Sequence, residues 1–556
     1  MAEHSILIGG KAGEGLNKAG LIIARLMNGL GYRVFMYYDY PSLIRGGHNF
    51  SIIRAASRRI WSHRTRVDFL LAMNRETLEI HAQRRSPATV AIFDSDAVKG
   101  EGTGIGIPLS QIAKEEGAPE IARNTGIIAG FCAAAGISYE ALEETLRKEI
   151  PRGLRSNLAI AKRAYATVQP VPGASIEPVT RSEKPLPFLT GNEAAGLGLL
   201  SGGLQAYVAY PMTPTSNLLH FLAGLPPELG LTVVHPENEI GVMLMALGFA
   251  SAGKRVAVGT SGGGFCLMTE GFSLAGMAEI PVTVVLGQRP GPSTGLPTYS
   301  CQTELHFAAN AGQGEFIRFI AAPGDLEEAY YWASAALSLS WKHQIPSILL
   351  YDKNLAEHGY NFDTGSVPSL PELPPVAWDG KAPYRRYAFS GSGVSPLAFH
   401  GTREAVVKVN SYAHDESGIT TEEPEMVTRM QEKLLLKGEG LARDLLRMPT
   451  VTVGGANGAG DALLTWGSTA GACREVGDTL GIRVVQPVVL NPFPVVKVGD
   501  ALAGARRIII VEQNATGQLE RLVSGTPIRI AGRVHRYDGR PFALDELEAK
   551  VSEVLA

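Results

Sequence analysis

Four polar segments of this sequence could together perform carboxylate and proton chemistry, because each follows an apolar stretch typical of a buried strand. They lie at residues 210–217, 235–241, 260–264 and 287–298. Between them they supply hydroxyl groups, carboxylates, a run of glycines and an arginine. The carboxyl ends of parallel strands share one edge of an open sheet, and ligands bind at that edge. The sequence therefore predicts one cleft lined by these four segments.

The first segment, "YPMTPTSN", places Tyr210, Pro211 and Thr213 directly after the apolar run "AYVA". Prolines on both sides of Thr213 restrict φ and reduce the entropy of holding its hydroxyl in one place. This pattern favours a stiff turn that presents one hydroxyl group.

The second segment, "HPENEIGVMLMALG", contains two carboxylates ahead of an unusually apolar helix. Glu237 is most simply a helix-end carboxylate that interacts with the helix dipole. Glu239 is expected to be desolvated beside that helix, which suits a group that exchanges a proton.

The remaining two segments are "TSGGG", with Ser261 and Gly262, and "GQRPGPSTGLPT", with Arg289. An arginine at a strand end can hold a carboxylate or a phosphate by two parallel hydrogen bonds. An ion pair between domains explains Arg289 equally well at this stage.

A separate glycine turn, "GGKAGEGL" at residues 9–16, follows the first predicted strand and could hold an anion on its N–H groups. Its spacing is neither G-x-G-x-x-G nor a P-loop, so a structural turn is favoured. The same holds for "RGGHN" at residues 45–49. Asp39, at the end of the second predicted strand, leaves a nicotinamide-dependent dehydrogenase open as an alternative.

Composition excludes several classes of protein. The net charge of −3 over 556 residues gives no basic field for nucleic acid or for an anionic membrane surface. The four cysteines are scattered, which argues against an iron–sulfur site, a zinc site or a disulfide framework within this chain. No signal peptide and no apolar run of about 18 residues is found. We expect a cytoplasmic protein that binds no metal itself.

Strands and helical stretches alternate along most of the chain, which predicts an α/β protein with several open parallel sheets. A proline-rich stretch near residues 168–187 marks the best boundary. We expect three domains, at residues 1–180, 188–445 and 451–556, the second with an extended insert after 355.

At this point the sequence resembles a known family. "GNEAAGLGLLSGG", "AYPMTPTSN", "ENEIGVMLMALGFASAG" and "QRPGPSTGLPT" together resemble the α subunit of the thiamine diphosphate-dependent 2-oxoacid:ferredoxin oxidoreductases. Residues 1–180 resemble their γ domain, here fused ahead of α. Residues 188–445 resemble the domain that binds the cofactor's pyrimidine ring, and residues 451–556 their transketolase C-terminal-like domain.

The resemblance implies roles for individual residues. Thr213 would face the 2-oxoacid, with Tyr210 beside the substrate, and Arg289 would hold the substrate carboxylate. Glu239 would bond N1′ of the aminopyrimidine ring. The remaining cofactor-binding residues would be Pro211, Ser261 and Gly262.

Some family features differ or are missing here. "SGGG" stands where Ser-Gly-Pro-Gly is usual, "QGE" at residues 313–315 where His-Gly-Glu is common, and the segment 300–304, "SCQTE", is irregular. A Gly-Asp-Gly…Asn motif for diphosphate and Mg²⁺ is not found. By resemblance, Mg²⁺ and a [4Fe-4S] cluster would lie on a separate β subunit, which would share the thiamine diphosphate site.

The function predicted from the resemblance is oxidation and decarboxylation of a 2-oxoacid with CoA, or the reverse synthesis. Ferredoxin would be the electron partner, and an (αβ)2 assembly is expected. 2-Oxoglutarate is the favoured substrate. Pyruvate and branched-chain 2-oxoacids are the nearest alternatives, and a dehydrogenase or a non-catalytic scaffold subunit are more distant ones.

Overall fold

The computed structural model describes residues 2–42, 46–98, 104–180 and 185–556. Arg45 of the predicted turn at residues 45–49 lies outside the described residues. The chain divides into two compact units. The first contains residues 1–189, 358–363 and 542–550, and the second contains residues 190–357, 364–541 and 551–556.

The strands of the described residues are numbered in chain order. They are β1 Glu3–Lys11, β2 Arg33–Asp39, β3 His48–Ala56, β4 Phe69–Ala72, β5 Val90–Asp94, β6 Ile105–Ile107, β7 Phe188–Thr190, β8 Ala206–Ala209, β9 Thr232–Val234, β10 Val256–Ser261, β11 Val282–Gln288, β12 Phe319–Ala321, β13 Pro346–Asp352, β14 Gly359–Asn361, β15 Val451–Gly455, β16 Asp461–Thr465, β17 Arg483–Pro487, β18 Val489–Asn491, β19 Arg507–Glu512 and β20 Gly532–His535.

The helices follow the same numbering. They are α1 Leu16–Gly29, α2 Arg75–Ile80, α3 Leu109–Glu115, α4 Arg123–Ala134, α5 Tyr139–Glu149, α6 Leu154–Ala166, α7 Gly191–Ser201, α8 Ser216–Ala223, α9 Glu239–Ser251, α10 Gly262–Met277, α11 Leu305–Asn310, α12 Leu326–His343, α13 Lys353–Glu357, α14 Pro424–Leu445, α15 Thr469–Leu480, α16 Val495–Ala501, α17 Gln518–Val523 and α18 Leu544–Leu555.

The sheet of the first unit has the order β6-β5-β4-β1-β3-β2-β14-β7. Strands β1, β4, β5 and β6 are parallel, but β3 runs antiparallel between β1 and β2. A dinucleotide-binding fold requires the first two strands to be parallel neighbours. Asp39 at the end of β2 also accepts a hydrogen bond from the Tyr37 hydroxyl and is buried. This topology counts against the dehydrogenase alternative.

The principal sheet of the second unit has the order β18-β12-β13-β11-β10-β8-β9. All of its pairings are parallel except that of β18 with β12. Strands β11 and β13 are buried along their whole length. Their near-continuous apolar sequences reflect burial on both faces of the sheet. The predicted α/β class with open parallel sheets is confirmed.

A smaller sheet completes the second unit, with the order β15-β17-β16-β19-β20. Its pairings are parallel apart from β15 with β17. Between the 3-10 turn at residues 364–366 and α14, the described chain forms loops with isolated bridges, as the proline-rich sequence predicts.

The middle of α14 is held in the second unit by a buried charge cluster. Lys433 Nζ and Lys437 Nζ lie 2.6 and 2.5 Å from the Glu279 carboxylate, and Arg386 donates to the Glu279 carbonyl oxygen at 2.6 Å. Burial alone would raise the pKa of Glu279, but the surrounding cations lower it to about 2. Burial lowers the pKa of Lys437 to about 7, against the attraction of Glu279. One buried carboxylate therefore neutralises an excess of cations.

We expect Glu279→Ala to destabilise the protein by about 3–5 kcal/mol, because it leaves the two lysines without their counter-charge. Denaturant unfolding of the variant measures this loss. Glu439→Ala, which removes an exposed carboxylate from the same helix, is the matched control and should change stability by less than about 0.5 kcal/mol. Equal stability of Glu279→Ala and the wild type would contradict the prediction.

The cluster also predicts a pH dependence of stability. The pKa of Lys437 is about 7 in the folded protein, against an ordinary value of 10.5 for a lysine. Between these values the unfolded chain binds more protons at this site, so the contribution of Lys437 makes stability rise with pH across that window. Lys437→Met should remove this rise in denaturant unfolding measured from pH 7 to 10.

Candidate active site

The four predicted segments lie at one edge of the principal sheet. Strands β8, β9, β10 and β11 are parallel, and the segments at residues 210–217, 235–241, 260–264 and 287–298 follow their carboxyl ends. The register pairs Ser261 with Gly287, so the last two strands end side by side. The edge presents the hydroxyl, carboxylate, glycine and arginine groups together.

Two linked, buried hydrogen bonds hold the turn after β8 in place. The Tyr351 hydroxyl donates to Asn192 Oδ1 at 2.7 Å, and Asn192 Nδ2 donates to the Pro214 carbonyl oxygen at 2.9 Å. The Pro214 ring packs against Gly287, where a Cβ atom would lie only 2.7 Å from Pro214 Cγ. A side chain at position 287 would displace the turn, so glycine is required for this close approach.

The exposed side of the same turn carries the predicted substrate residues. Tyr210 is 37% exposed and its ring lies 5.7 Å from that of His235. Pro211 and Thr213 are half-buried. The Thr213 side chain is therefore available at the mouth of the cleft.

Arg289 contacts the turn directly. Its Nη1 donates to the Thr213 carbonyl oxygen at 3.1 Å. Among the described residues it forms no ion pair, which removes the interdomain ion pair considered from the sequence. Burial lowers the pKa of the Arg289 guanidinium, and Glu304 opposes that effect. A guanidinium held by one carbonyl oxygen keeps donors free for an anion.

Glu239 begins α9 and is 5% exposed. The helix cap is Asn238, whose Oδ1 accepts the Gly241 N–H at 2.9 Å, and not Glu237, which is exposed. Glu239 Oε1 lies 2.9 Å from the point that a Cβ atom of Gly264 would occupy. Within the described chain its carboxylate has no hydrogen-bond partner or counter-charge. The Glu239 carboxylate is therefore a buried hydrogen-bond acceptor that lies against Gly264, which has no side chain.

Ser261 and Gly262 form the junction between β10 and α10. Ser261 is fully buried at the N-cap position, but its side chain makes no capping bond and its hydroxyl has no partner in the structure. Gly262, Gly263 and Gly264 open the first turn of α10. The junction therefore combines an unsatisfied hydroxyl with backbone that a ligand can approach closely.

Sequence reasoning missed two kinds of residue here. Asn192 and Tyr351 support the turn from distant positions and carry no local signal. Glu304 lies in the irregular segment at 300–304, is 8% exposed, and has Oε1 2.8 Å from the Cβ position of Gly262. Only the fold shows that Glu304 lies against Gly262, the first residue of α10.

The N-terminal turn at residues 9–16 is filled by the chain's own groups. Strand β1 continues through Lys11, whose N–H donates to Glu14 Oε2 at 3.0 Å, and the Ala12 N–H donates to the Gly47 carbonyl oxygen at 3.1 Å. These bonds agree with the structural-turn interpretation, because the N–H groups of Lys11, Ala12 and Glu14 already have acceptors.

Family models match both units of the chain. The model described as "Pyruvate flavodoxin/ferredoxin oxidoreductase, thiamine diP-bdg" matches residues 198–433, and the model described as "Pyruvate ferredoxin/flavodoxin oxidoreductase" matches residues 5–167. The fold and the cleft thus define an oxidoreductase subunit of the class that uses thiamine diphosphate.

Similar proteins extend over the full chain. "2-oxoacid:ferredoxin oxidoreductase 2, subunit alpha" of Aeropyrum pernix is 30% identical and aligns with 100% of this chain and 98% of its own length. The corresponding alpha subunit of Sulfolobus sp. is 29% identical, with 99% and 97% covered. The chain belongs to the 2-oxoacid:ferredoxin oxidoreductase family, as an alpha subunit. The resemblance inferred from its motifs is confirmed.

A solved structure matches with a TM-score of 0.89 and 29% identity, over 100% of both chains. It is 2-oxoglutarate:ferredoxin oxidoreductase from Magnetococcus marinus with 2-oxoglutarate, coenzyme A and succinyl-CoA bound. The fold predicted from the resemblance is therefore confirmed over the whole chain.

The residues at the sheet edge fit the pyrimidine half of thiamine diphosphate. An aminopyrimidine ring requires a carboxyl group for a ring nitrogen, which the unpartnered Glu239 carboxylate can supply. The orphaned Ser261 hydroxyl and the glycines at 262–264 add a polar group and backbone without side chains at the end of β10.

No group of three or more His, Cys, Asp or Glu side chains in the described part of the chain is placed to hold a metal ion. None of the helices formed by the described residues combines the length and hydropathy that a membrane crossing needs.

Proposed function

We propose that this chain is the γα-fused α subunit of a CoA-dependent 2-oxoglutarate:ferredoxin oxidoreductase, which works in the direction of oxidation or of synthesis. The observation that carries the reaction class is the juxtaposition of Arg289 with Thr213, at 3.1 Å, on the sheet edge that also holds the buried Glu239. The similarity to the Magnetococcus marinus enzyme, together with relatives named 2-oxoglutarate synthase subunit KorA, supports the substrate.

Each site residue has one role in this proposal. Thiamine diphosphate, when bound, supplies the carbanion chemistry that cleaves the bond between the keto carbon and the carboxylate. Glu239 holds a proton in a hydrogen bond at N1′ of the aminopyrimidine ring, and Ser261, Gly262 and Pro211 line the ring.

The substrate is oriented by the residues at the cleft mouth. Arg289 binds the 2-oxoacid carboxylate through donors that Thr213 leaves free, while the Thr213 hydroxyl and Tyr210 face the reacting carbon. A bidentate guanidinium–carboxylate bond fixes the substrate in orientation as well as position, which reduces the entropic cost of reaction.

The site is completed by a partner in this proposal. Helices α9 and α10 leave an apolar face exposed beside the cleft, formed by Ile240, Leu244, Met245 and Leu267, which are 44–50% exposed. An exposed apolar face of this kind fits a protein interface. The β subunit would cover it and bring the diphosphate site, Mg²⁺ and a [4Fe-4S] cluster, with ferredoxin as acceptor, CoA as co-substrate and an (αβ)2 assembly in the cytoplasm.

The three-domain division at residues 1–180, 188–445 and 451–556 is part of the same proposal. The first domain would correspond to the family's γ subunit, the second would bind the pyrimidine ring, and the third would be transketolase C-terminal-like.

Purified alone, the chain should not oxidise any 2-oxoacid and should lack the visible absorption of an iron–sulfur cluster. The reason is that its cysteines are scattered and that it has no diphosphate–metal motif. Viologen reduction and an absorption spectrum test this. Activity should appear when the partner subunit is added, and viologen reduction by the pure single chain would refute the division of the site.

Substrate choice is tested on the assembled enzyme. We expect kcat/KM for 2-oxoglutarate to exceed that for pyruvate and for a branched-chain 2-oxoacid, with ferredoxin or viologen as acceptor and CoA present. A higher value for either competitor would assign a different 2-oxoacid. Activity that required a nicotinamide dinucleotide, or no activity with any 2-oxoacid, would favour the dehydrogenase or the scaffold alternative.

A further inference from the structure

A buried acid lies beside the candidate site without a role in the proposed reaction. Glu304 is the residue before α11, and its carboxyl Oε1 lies against the first glycine of α10. The Thr303 hydroxyl donates to Glu304 Oε2 at 3.0 Å, and the Glu304 N–H donates to Gln288 Oε1 at 3.2 Å. The Thr303 bond holds the carboxyl group, and the Gln288 bond ties the Glu304 backbone to the residue before Arg289 of the cleft.

Glu304 has no cation in contact with it among the described residues. The titratable groups around it are Arg289, the Cys301 thiol and, across the glycine turn, Glu239. Burial raises the pKa of Glu304 to about 8, and the opposing attraction of Arg289 and the Thr303 hydroxyl does not cancel that effect. The acid is thus protonated near neutral pH.

Its charge state bears on Arg289, since the Glu304 backbone is hydrogen-bonded to the side chain of Gln288, the residue before Arg289, and each group shifts the pKa of the other. A protonated Glu304 leaves Arg289 on the Thr213 carbonyl oxygen with donors free. An ionised Glu304 would attract that guanidinium and would compete with any carboxylate ligand. Opposite charges in a poorly solvated site attract strongly.

We propose that Glu304 is a positioning residue that must carry its proton for Arg289 to bind the carboxylate of the 2-oxoacid. This inference rests on the proposed function, in which Arg289 receives that carboxylate. Loss of the proton draws Arg289 toward Glu304 and weakens substrate binding.

The test uses the assembled enzyme and the 2-oxoacid that it turns over best. In the wild type, KM for the 2-oxoacid should rise above about pH 8, approaching tenfold per pH unit, since one proton is lost. Glu304→Gln, a neutral isostere, should keep the wild-type KM at pH 7 and remain flat to pH 9.5. KM for CoA should follow the same pH profile in both proteins, because CoA does not depend on Arg289 in this scheme.

A second pair of variants tests the direction of the effect. Thr303→Val removes a hydrogen bond that favours the ionised carboxyl group, so the rise in KM should begin at a higher pH than in the wild type. Thr303→Ser keeps the donor and should reproduce the wild-type profile. A rise that persists unchanged in Glu304→Gln would overturn the proposal, as would a Thr303→Val profile shifted to lower pH.

A readout independent of activity separates this inference from the proposed function. A carboxyl group protonated only in the folded state makes stability fall as pH rises from its unfolded pKa to its folded one. Glu304→Gln should therefore gain thermal stability relative to the wild type between pH 5 and pH 8. A constant difference would overturn the inference even in an active enzyme, whereas inactivity with every 2-oxoacid refutes the proposed function and leaves this readout intact.

Discussion

Glu239→Gln in the assembled enzyme is expected to lower kcat by roughly 10²-fold or more, the usual scale for lost acid–base assistance. Bound thiamine diphosphate would supply the carbanion chemistry of the proposed reaction. A carboxyl group at N1′ of its aminopyrimidine ring would hold the proton on which that chemistry depends. Glu239, 5% exposed and without a partner in the described chain, is placed to share it. A low local dielectric strengthens that bond.

Cofactor affinity should fall less than the rate, because the diphosphate is held by the partner in this scheme. Glu237→Gln is the matched control: Glu237 is exposed and is not the helix cap, so the change should be nearly silent. Steady-state kinetics and NMR of C2 proton exchange measure both. Normal exchange in Glu239→Gln, or a larger loss in Glu237→Gln, would assign the role to the other glutamate.

Arg289→Ala is expected to raise KM for the 2-oxoacid by roughly 30-fold or more. Removing one side of a buried charge-assisted pair costs about 2–5 kcal/mol, and each 1.4 kcal/mol corresponds to a factor of ten. The guanidinium is held at Thr213 by one bond of 3.1 Å, so its loss leaves the turn supported by Asn192 and Tyr351. Thiamine diphosphate binding should survive.

Arg289→Lys should restore binding only in part, because an ammonium group cannot replace the planar, two-pronged donor. Isothermal titration with thiamine diphosphate, in parallel with steady-state KM, separates substrate from cofactor effects. A wild-type KM in Arg289→Ala would place the substrate carboxylate elsewhere, and equal losses in substrate and cofactor affinity would mean that the residue supports the fold.

The strands of the second unit and their parallel arrangement were within reach of the sequence, because buried parallel strands are read as apolar runs. Strands β11 and β13 are seven residues each, and both were predicted from such runs. The polar segments that follow those runs were expected at one edge of the sheet, because the carboxyl ends of parallel strands lie there. The antiparallel insertion of β3 between β1 and β2 could not be read in this way, since hydrophobic pattern is the same for either direction of a buried strand.

Contacts that depend on loop geometry were also beyond the sequence. The bond from Arg289 to Thr213 spans 76 positions and requires the turn at Pro214 to rest on Gly287. Glu304 gave no signal because segment 300–304 has neither helical nor strand periodicity, and its carboxyl group lies against Gly262, 42 positions earlier. At the start of α9 the sequence favours Glu237 as the helix-end group by its residue type. In the structure the cap is Asn238, whose side chain accepts the Gly241 N–H.

The sheet of the first unit takes its β14 strand from residues 359–361, where Gly359 pairs with Met36. Residues 542–550 join the same unit, with the Leu544 N–H bonded to the His63 carbonyl oxygen and the Asp545 carboxylate to the Thr65 N–H. A ribosome that has made residues 1–180 has therefore not yet made the strand that covers the β2 edge. An open strand edge invites pairing with other chains. The first unit is therefore complete only when almost the whole polypeptide has been made. A gene truncated after residue 180 would encode an incomplete sheet.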